Sequence, residues 1–267
     1  MMRRVSIAIV GGLAAAAGWG IAARTDRERG PTLSRGDLRV LAIGVDRYRD
    51  VHPLSYPARD AGAVAQSFST RASTEFRRVE TRLLTDDQAD RRGILDGLEW
   101  LRRSSRPEDV SVLYYGGHAG NDPPIGFYLA PGLYRDRDWR RTRITGAELR
   151  ARVAEIPGRV VVLLDTCYAG ALIDEALDLG DGRAAYLVAT RAGESNRGVS
   201  RARHCDFTQA LLEALEGQGD GDGDGIITLD ELGRHVAGRV LERRLGWQRA
   251  VLSIPPALRR VTLSRPG

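Results

Sequence analysis

The amino-acid sequence predicts an α/β fold with a mostly parallel sheet and helices on both of its faces. Two observations carry this. Short apolar runs alternate along the chain with segments of helical periodicity, the pattern of successive βαβ units. Several of those runs are apolar throughout, as strands covered on both sides must be. A chain of 267 residues, 42% hydrophobic and 28% charged, suits one sizeable globular domain and excludes a disordered chain.

Residues 1–23 stand apart from that pattern. Arg3 and Arg4 precede an uncharged stretch rich in Ala and Gly, 5–23, with small residues at signal-peptidase spacing, Ala15 with Ala17 or Gly20 with Ala22. Its 19 residues are also long enough to cross a bilayer. The reading is a signal peptide or a membrane anchor, with the protein exported to the periplasm or beyond, or tethered by its N-terminus. Residues 24–36 are polar, contain Pro31 and read as a linker, so the folded domain is expected over 37–267.

Residues 38–45 (LRVLAIGV) read as the first strand. Pro57 suits the first turn of a helix, where its missing N–H costs nothing, and Ala61, Val64, Ala65 and Phe68 then share one side. A second strand follows at 79–84, and Asp90 caps a helix carrying Ile94, Leu98 and Leu101. The third strand, 110–115 (VSVLYY), runs into Gly116-Gly117-His118-Ala119-Gly120. Thr145 and Glu148 form a capping box for a helix reaching Ile156. The fourth strand, 159–164 (RVVVLL), ends at Asp165-Thr166-Cys167, and 184–190 is the fifth. Helices at 207–216 and 229–244 and a short strand near Val261 complete the pattern.

The net charge is +5 and every basic residue is Arg, but the arginines are scattered rather than gathered in a patch, which argues against nucleic-acid binding. The two cysteines, Cys167 and Cys205, are read as free thiols, because pairing them would consume the one that sits in a reactive setting. In parallel sheets, sites form at the carboxyl ends of strands. His118 follows the third strand and Cys167 the fourth, so local reasoning puts both on one rim. A free thiol is only slightly ionised at neutral pH; an adjacent imidazole raises its reactive fraction and later protonates a leaving amine.

The segments VLYYGGHAG and VVLLDTCYAG resemble the His and Cys motifs of caspases and metacaspases. His118 and Cys167 are 49 positions apart, close to the roughly 50 typical of caspases. The cysteine motif D-T-C-Y-A-G is nearer to the metacaspase D-S-C-x-S-G pattern than to the animal caspase Q-A-C form. The resemblance spans about 40–231 in the same order and includes Y-P-A-R-D-A, LLTDDQA and D-F-T-Q-A-L. It implies a caspase-haemoglobinase-like fold and a cysteine endopeptidase of the metacaspase-like kind, with Cys167 as nucleophile, His118 as base, and the backbone N–H groups of Ala119 and Cys167 as oxyanion donors. Ala119 stands where the family usually has Gly; its N–H is retained. The resemblance further implies a peptide or protein substrate with Arg or Lys before the cut, held by Asp60 and Asp165, the positions matching the family's acidic pair. Two carboxylates suit a guanidinium. No organic cofactor is expected.

A second motif lies near the C-terminus. Asp220, Asp222 and Asp224, then Gly225, Ile226, Thr228 and Glu231, match the ligand positions of an EF-hand loop over 220–231, with the Ile226 carbonyl as the backbone ligand. Calcium is therefore the expected ion and a modulator of activity. Thr228 and Glu231 also satisfy a helix capping box, a purely structural use of the same residues. Two other functional readings stay open from sequence: a catalytically weak caspase-fold signalling or binding module with the EF-hand as its working part, and an acyl hydrolase or transferase using the same dyad on a non-peptide group.

Overall fold

The computed structural model describes residues 36–175, 182–195 and 203–265. The expected signal or anchor, 1–23, and the expected linker except Gly36 lie outside the described residues. Among those described, no helix is long and apolar enough to cross a membrane.

The chain runs β1 (Leu38–Gly44), α1 (Pro57–Arg71), β2 (Val79–Thr85), α2 (Arg91–Ser104) and β3 (Val110–Gly116). A small excursion follows: β4 (Ala119–Asp122), β5 (Gly126–Leu129), α3 (Trp139–Thr142), β6 (Ile144–Thr145) and α4 (Gly146–Ala154). The chain then returns through β7 (Arg159–Asp165), α5 (Gly170–Asp174) and β8 (Ala184–Val188). It ends with α6 (Asp206–Glu213), β9 (Ile227–Thr228), α7 (Leu229–Arg243), β10 (Val251–Ser253) and β11 (Thr262–Ser264). The central sheet has the order β10-β8-β7-β3-β1-β2, parallel except for the edge strand β10. The expected α/β class and parallel sheet are thus observed.

Side-chain alternation along the strands sends two apolar sets to opposite faces. Val40, Val112, Tyr114 and Leu163 join Val64 and Phe68 of α1, Phe207 and Leu211 of α6, and Val236 of α7 in one core. Leu41, Leu113, Val162 and Leu164 join Ile94 and Leu98 of α2 and Leu149 of α4 in the other. Burying a side chain such as Phe68, fully enclosed here, contributes about 1.5–3 kcal/mol. Asp90 accepts from the Gly93 N–H at 2.7 Å as expected, and Thr145 from the Glu148 N–H at 3.2 Å; the expected capping box there is only half formed, because the Glu148 carboxylate takes Arg91 at 2.7 Å instead of reaching back to the cap.

Register fixes the level of the strand ends. Gly44 pairs with Gly116, and Gly116 with Asp165. The segments that leave β3 and β7 therefore start side by side at the carboxyl rim. Gly44 is needed for packing there, since a Cβ would lie 2.1 Å from the Pro57 carbonyl oxygen where α1 begins.

Candidate active site

His118, Asp165, Thr166, Cys167 and Cys205 line one cavity of about 220 Å³, roofed by the segment Pro53 to Pro57. Both cysteines are free thiols, as expected, and both are half-buried. His118 is held from three sides. Its N–H donates to the Tyr48 hydroxyl at 2.7 Å, its carbonyl accepts from the Ala130 N–H at 3.0 Å, and its ring lies 4.7 Å, centroid to centroid, from that of Tyr48. Its Nε2 faces the His52 carbonyl oxygen at 2.7 Å. A carbonyl only accepts, so Nε2 carries the hydrogen and Nδ1 is left as the basic nitrogen. Gly117 is confined by the same cage: a Cβ there would sit 2.7 Å from the Tyr48 hydroxyl and 2.8 Å from that of Tyr115.

The segment carrying Tyr48 and His52 is itself pinned. Asp86 in the LLTDDQA turn accepts from the Asp46 and Arg47 N–H groups, each at 2.9 Å, and Asp46 accepts from the Ala58 N–H at 3.0 Å. Beyond Cys167 the chain turns sharply, with Tyr168 in a left-handed conformation (φ 58°). Thr190 fixes that turn: its hydroxyl donates to the Thr166 carbonyl and accepts from the Ala169 N–H, both at 3.1 Å.

Asp60 and Asp165, expected as an acidic pair, are brought together although 105 positions separate them. Carboxylate oxygens of both and the Cys205 sulfur all lie within 4.8 Å of one another. Asp165 accepts from the Thr208 hydroxyl at 2.6 Å and from its N–H at 3.3 Å. Asp60, fully buried, accepts from His204 Nδ1 at 2.6 Å and from the Cys205 N–H at 3.0 Å. Burial raises the Asp60 pKa, opposed by those two donors. Burial, then the charges of Asp165 and Asp60, push the Cys205 thiol far above its usual range. Cys205 therefore stays a thiol and is unsuited to nucleophilic work.

The sequence reading left several of these groups out. Tyr48, the His52 carbonyl and the place of Cys205 in the cavity carry no signature in the sequence. His204 is the side-chain partner of Asp60. Ala119 opens β4, opposite Leu129 of β5.

The 220–231 loop forms a separate acidic site, flanked by α6, extended by a π-helical turn over Ala214–Gln218, and by α7. Oxygens of Asp220, Asp222 and Asp224 lie within 4.8 Å of one another. Asp220 accepts from the Gly223 N–H at 2.7 Å and the Gly225 N–H at 2.9 Å, and Asp224 from the Ile226 N–H at 2.8 Å. Glu231 reaches back to the Gly221 N–H at 3.2 Å, while its other oxygen takes the Thr228 hydroxyl at 2.7 Å. The capping box is thus formed, and Thr228 and Glu231 serve it together. Burial and the neighbouring charges of Asp222, Glu231 and Asp220 raise the Asp224 pKa. That repulsion is of the kind a bound cation relieves. β9 within the loop pairs with β11, which covers its edge.

Metacaspase-1B of Aspergillus terreus is 26% identical over 199 residues, 69% of this chain and 49% of that protein. The chain is similar to metacaspases. Metacaspase-1 of Lodderomyces elongisporus and of Candida albicans are each 26% identical over 161 residues, 52% of this chain and 34% of theirs. The chain thus spans half or less of the length of the metacaspases it matches. No family model matches. Among solved structures, a protein from Geobacter sulfurreducens superposes with a TM-score of 0.60 at 18% identity, over 86% of this chain and all of the other. That likeness carries the fold, consistent with a caspase-like α/β architecture.

Proposed function

We propose that this protein is a metacaspase-like cysteine endopeptidase that cleaves peptide bonds after Arg or Lys. The observation that carries the proposal is a single cavity lined by His118, Cys167 and the carboxylate of Asp165, with the buried carboxylate of Asp60 close behind that of Asp165. His118 Nδ1 takes the Cys167 proton, and the thiolate attacks the scissile carbonyl carbon. The N–H groups of Ala119 and Cys167 receive the oxyanion. Protonated His118 then gives its proton to the leaving amine, leaving a thioester on Cys167. Water, deprotonated by His118, attacks that thioester and releases the new carboxylate and the free thiol. The basic side chain before the cut lies against Asp60 and Asp165, which gain the cation their burial calls for.

The same proposal includes calcium, held by Asp220, Asp222, Asp224, the Ile226 carbonyl, Thr228 and Glu231, as a modulator of activity. It places the enzyme outside the cytoplasm, or tethered, through residues 1–23.

The test is cleavage of fluorogenic peptides ending in Arg or Asp by residues 24–267, with calcium or chelator. Cleavage after Arg is expected, abolished by Cys167→Ala and by His118→Ala. Folded protein that cleaves neither peptide would return the weight to the binding-module reading; turnover of a small acyl ester alone would favour the non-peptide one.

A further inference from the structure

The base of the cavity has a donor set that a guanidinium does not need. Asp60 and Asp165 alone would satisfy a basic side chain; Cys205 adds a sulfur within 4.8 Å of both carboxylates. The three come from distant places, the first turn of α1, the end of β7 and the residue before α6. They are converged by backbone and side-chain bonds that point their acceptors to one spot: Thr208 on Asp165, His204 and the Cys205 N–H on Asp60. Thr166, which lines the same cavity, has a buried hydroxyl without a hydrogen-bond partner. Two hard oxygens and one soft sulfur discriminate among cations, and two of the three residues, Asp165 and Cys205, line the open cavity with Asp60 enclosed beside them. Calcium and magnesium prefer all-oxygen sites, whereas zinc-class ions take thiolate with carboxylate. Donors around such an ion lie about 3.3–3.8 Å apart, given bonds of about 2.0–2.3 Å, so the set closes on it with side-chain movements of about an ångström.

We propose that Asp60, Asp165 and Cys205 form a second, zinc-class metal site, and that the ion occupies the place of the substrate's basic side chain and so blocks cleavage. On binding, the Cys205 S–H bond gives its proton to the buffer and the sulfur bonds the ion as a thiolate. The imidazole of His204, bonded to Asp60, orients that carboxylate as outer partners of metal ligands do. The inhibitory half rests on the peptidase reading; the binding half does not.

Cobalt(II) is the probe, because a thiolate ligand gives it a near-ultraviolet charge-transfer band that carboxylates do not. The 220–231 loop is first saturated with calcium, and Cys167→Ala protein is used so that only one thiol faces the cavity. One equivalent of cobalt should produce the band, benzamidine should displace it, and Cys167→Ala/Cys205→Ser should lack it. Asp60→Asn, which keeps the thiol, should weaken binding at least tenfold. In the active enzyme, zinc inhibition should be competitive with an Arg peptide and at least tenfold weaker in Cys205→Ser. No band in the first protein, or a band that survives Cys205→Ser or ignores benzamidine, overturns the metal site while leaving the peptidase untouched. If nothing is cleaved but the band behaves as stated, the metal site stands and the peptidase falls.

Discussion

The two rims of the central sheet handle buried acid in opposite ways. At the amino rim, Asp109 is fully enclosed and meets Arg39 Nη1 at 2.6 Å, with the Asp37 and Arg106 N–H groups completing its shell. Asp37 in turn takes Arg39 at 3.2 Å and Arg77 at 2.9 Å. At the carboxyl rim, Asp60 is as deeply buried, yet its partners are a histidine and a backbone N–H rather than an arginine. A buried carboxylate matched to guanidinium within the chain is a structural joint; one that is under-neutralised is a receptor for a cation from outside. On the proposed reading, the same chemistry serves stability below and recognition above.

That comparison can be broken most directly by exchanging which function each acid carries. Asp60→Asn should lower kcat/KM for Arg peptides at least a hundredfold while leaving Tm unchanged or raised, since it removes a charge that burial penalises. Asp109→Asn should do the reverse, costing up to about 3–5 kcal/mol by leaving buried Arg39 only its longer pair with Asp37, with kcat/KM per folded molecule unchanged. Equal losses of stability from the two would erase the distinction between the rims.

A pH series sharpens it. Arg77, through its hydrogen bond first, holds the Asp37 pKa below the ordinary 3.8. Its contribution to stability is therefore present above that value and lost as pH falls through the lowered one. The Asp60 pKa is raised, so its contribution is present below 3.8 and lost as pH rises through the raised value. Thermal unfolding across pH should show the acid-side loss diminished in Asp37→Asn and the higher-pH loss diminished in Asp60→Asn. The smallest expected effect lies in the 220–231 loop: calcium should raise Tm by a few degrees, and Asp222→Ala should cancel that rise. A Tm indifferent to calcium in the parent protein would leave the capping box as the loop's whole role.

Much of this was legible in the sequence. β1, β3 and β7 are mostly apolar runs, and His118 and Cys167, which follow β3 and β7, had to share a rim once those strands were parallel and adjacent. The hairpin of β4 and β5 was not legible, because Gly120, Asn121, Pro123 and Pro124 read as loop and Phe127 to Leu129 is too short to show a period. β10 was missed for the same brevity. The fine structure of the site escaped for a different reason. The His52 carbonyl that orients His118 belongs to the backbone and leaves no residue signature. His204 meets Asp60 across 144 positions, a pairing that no local pattern announces.

α6 touches both working regions. Thr208 in its first turn grips Asp165, and its far end leads through the π-helical turn into the aspartates of the 220–231 loop. A rod clamped at both ends transmits in both directions, and thermodynamic linkage makes the two transmissions equal. Whatever factor calcium adds to the affinity for an arginine side chain, an arginine side chain must add to the affinity for calcium. On the proposed reading, the substrate is then an effector of the ion: calcium that favours peptide binding is held more tightly while a peptide is bound, and calcium that opposes it is held less tightly.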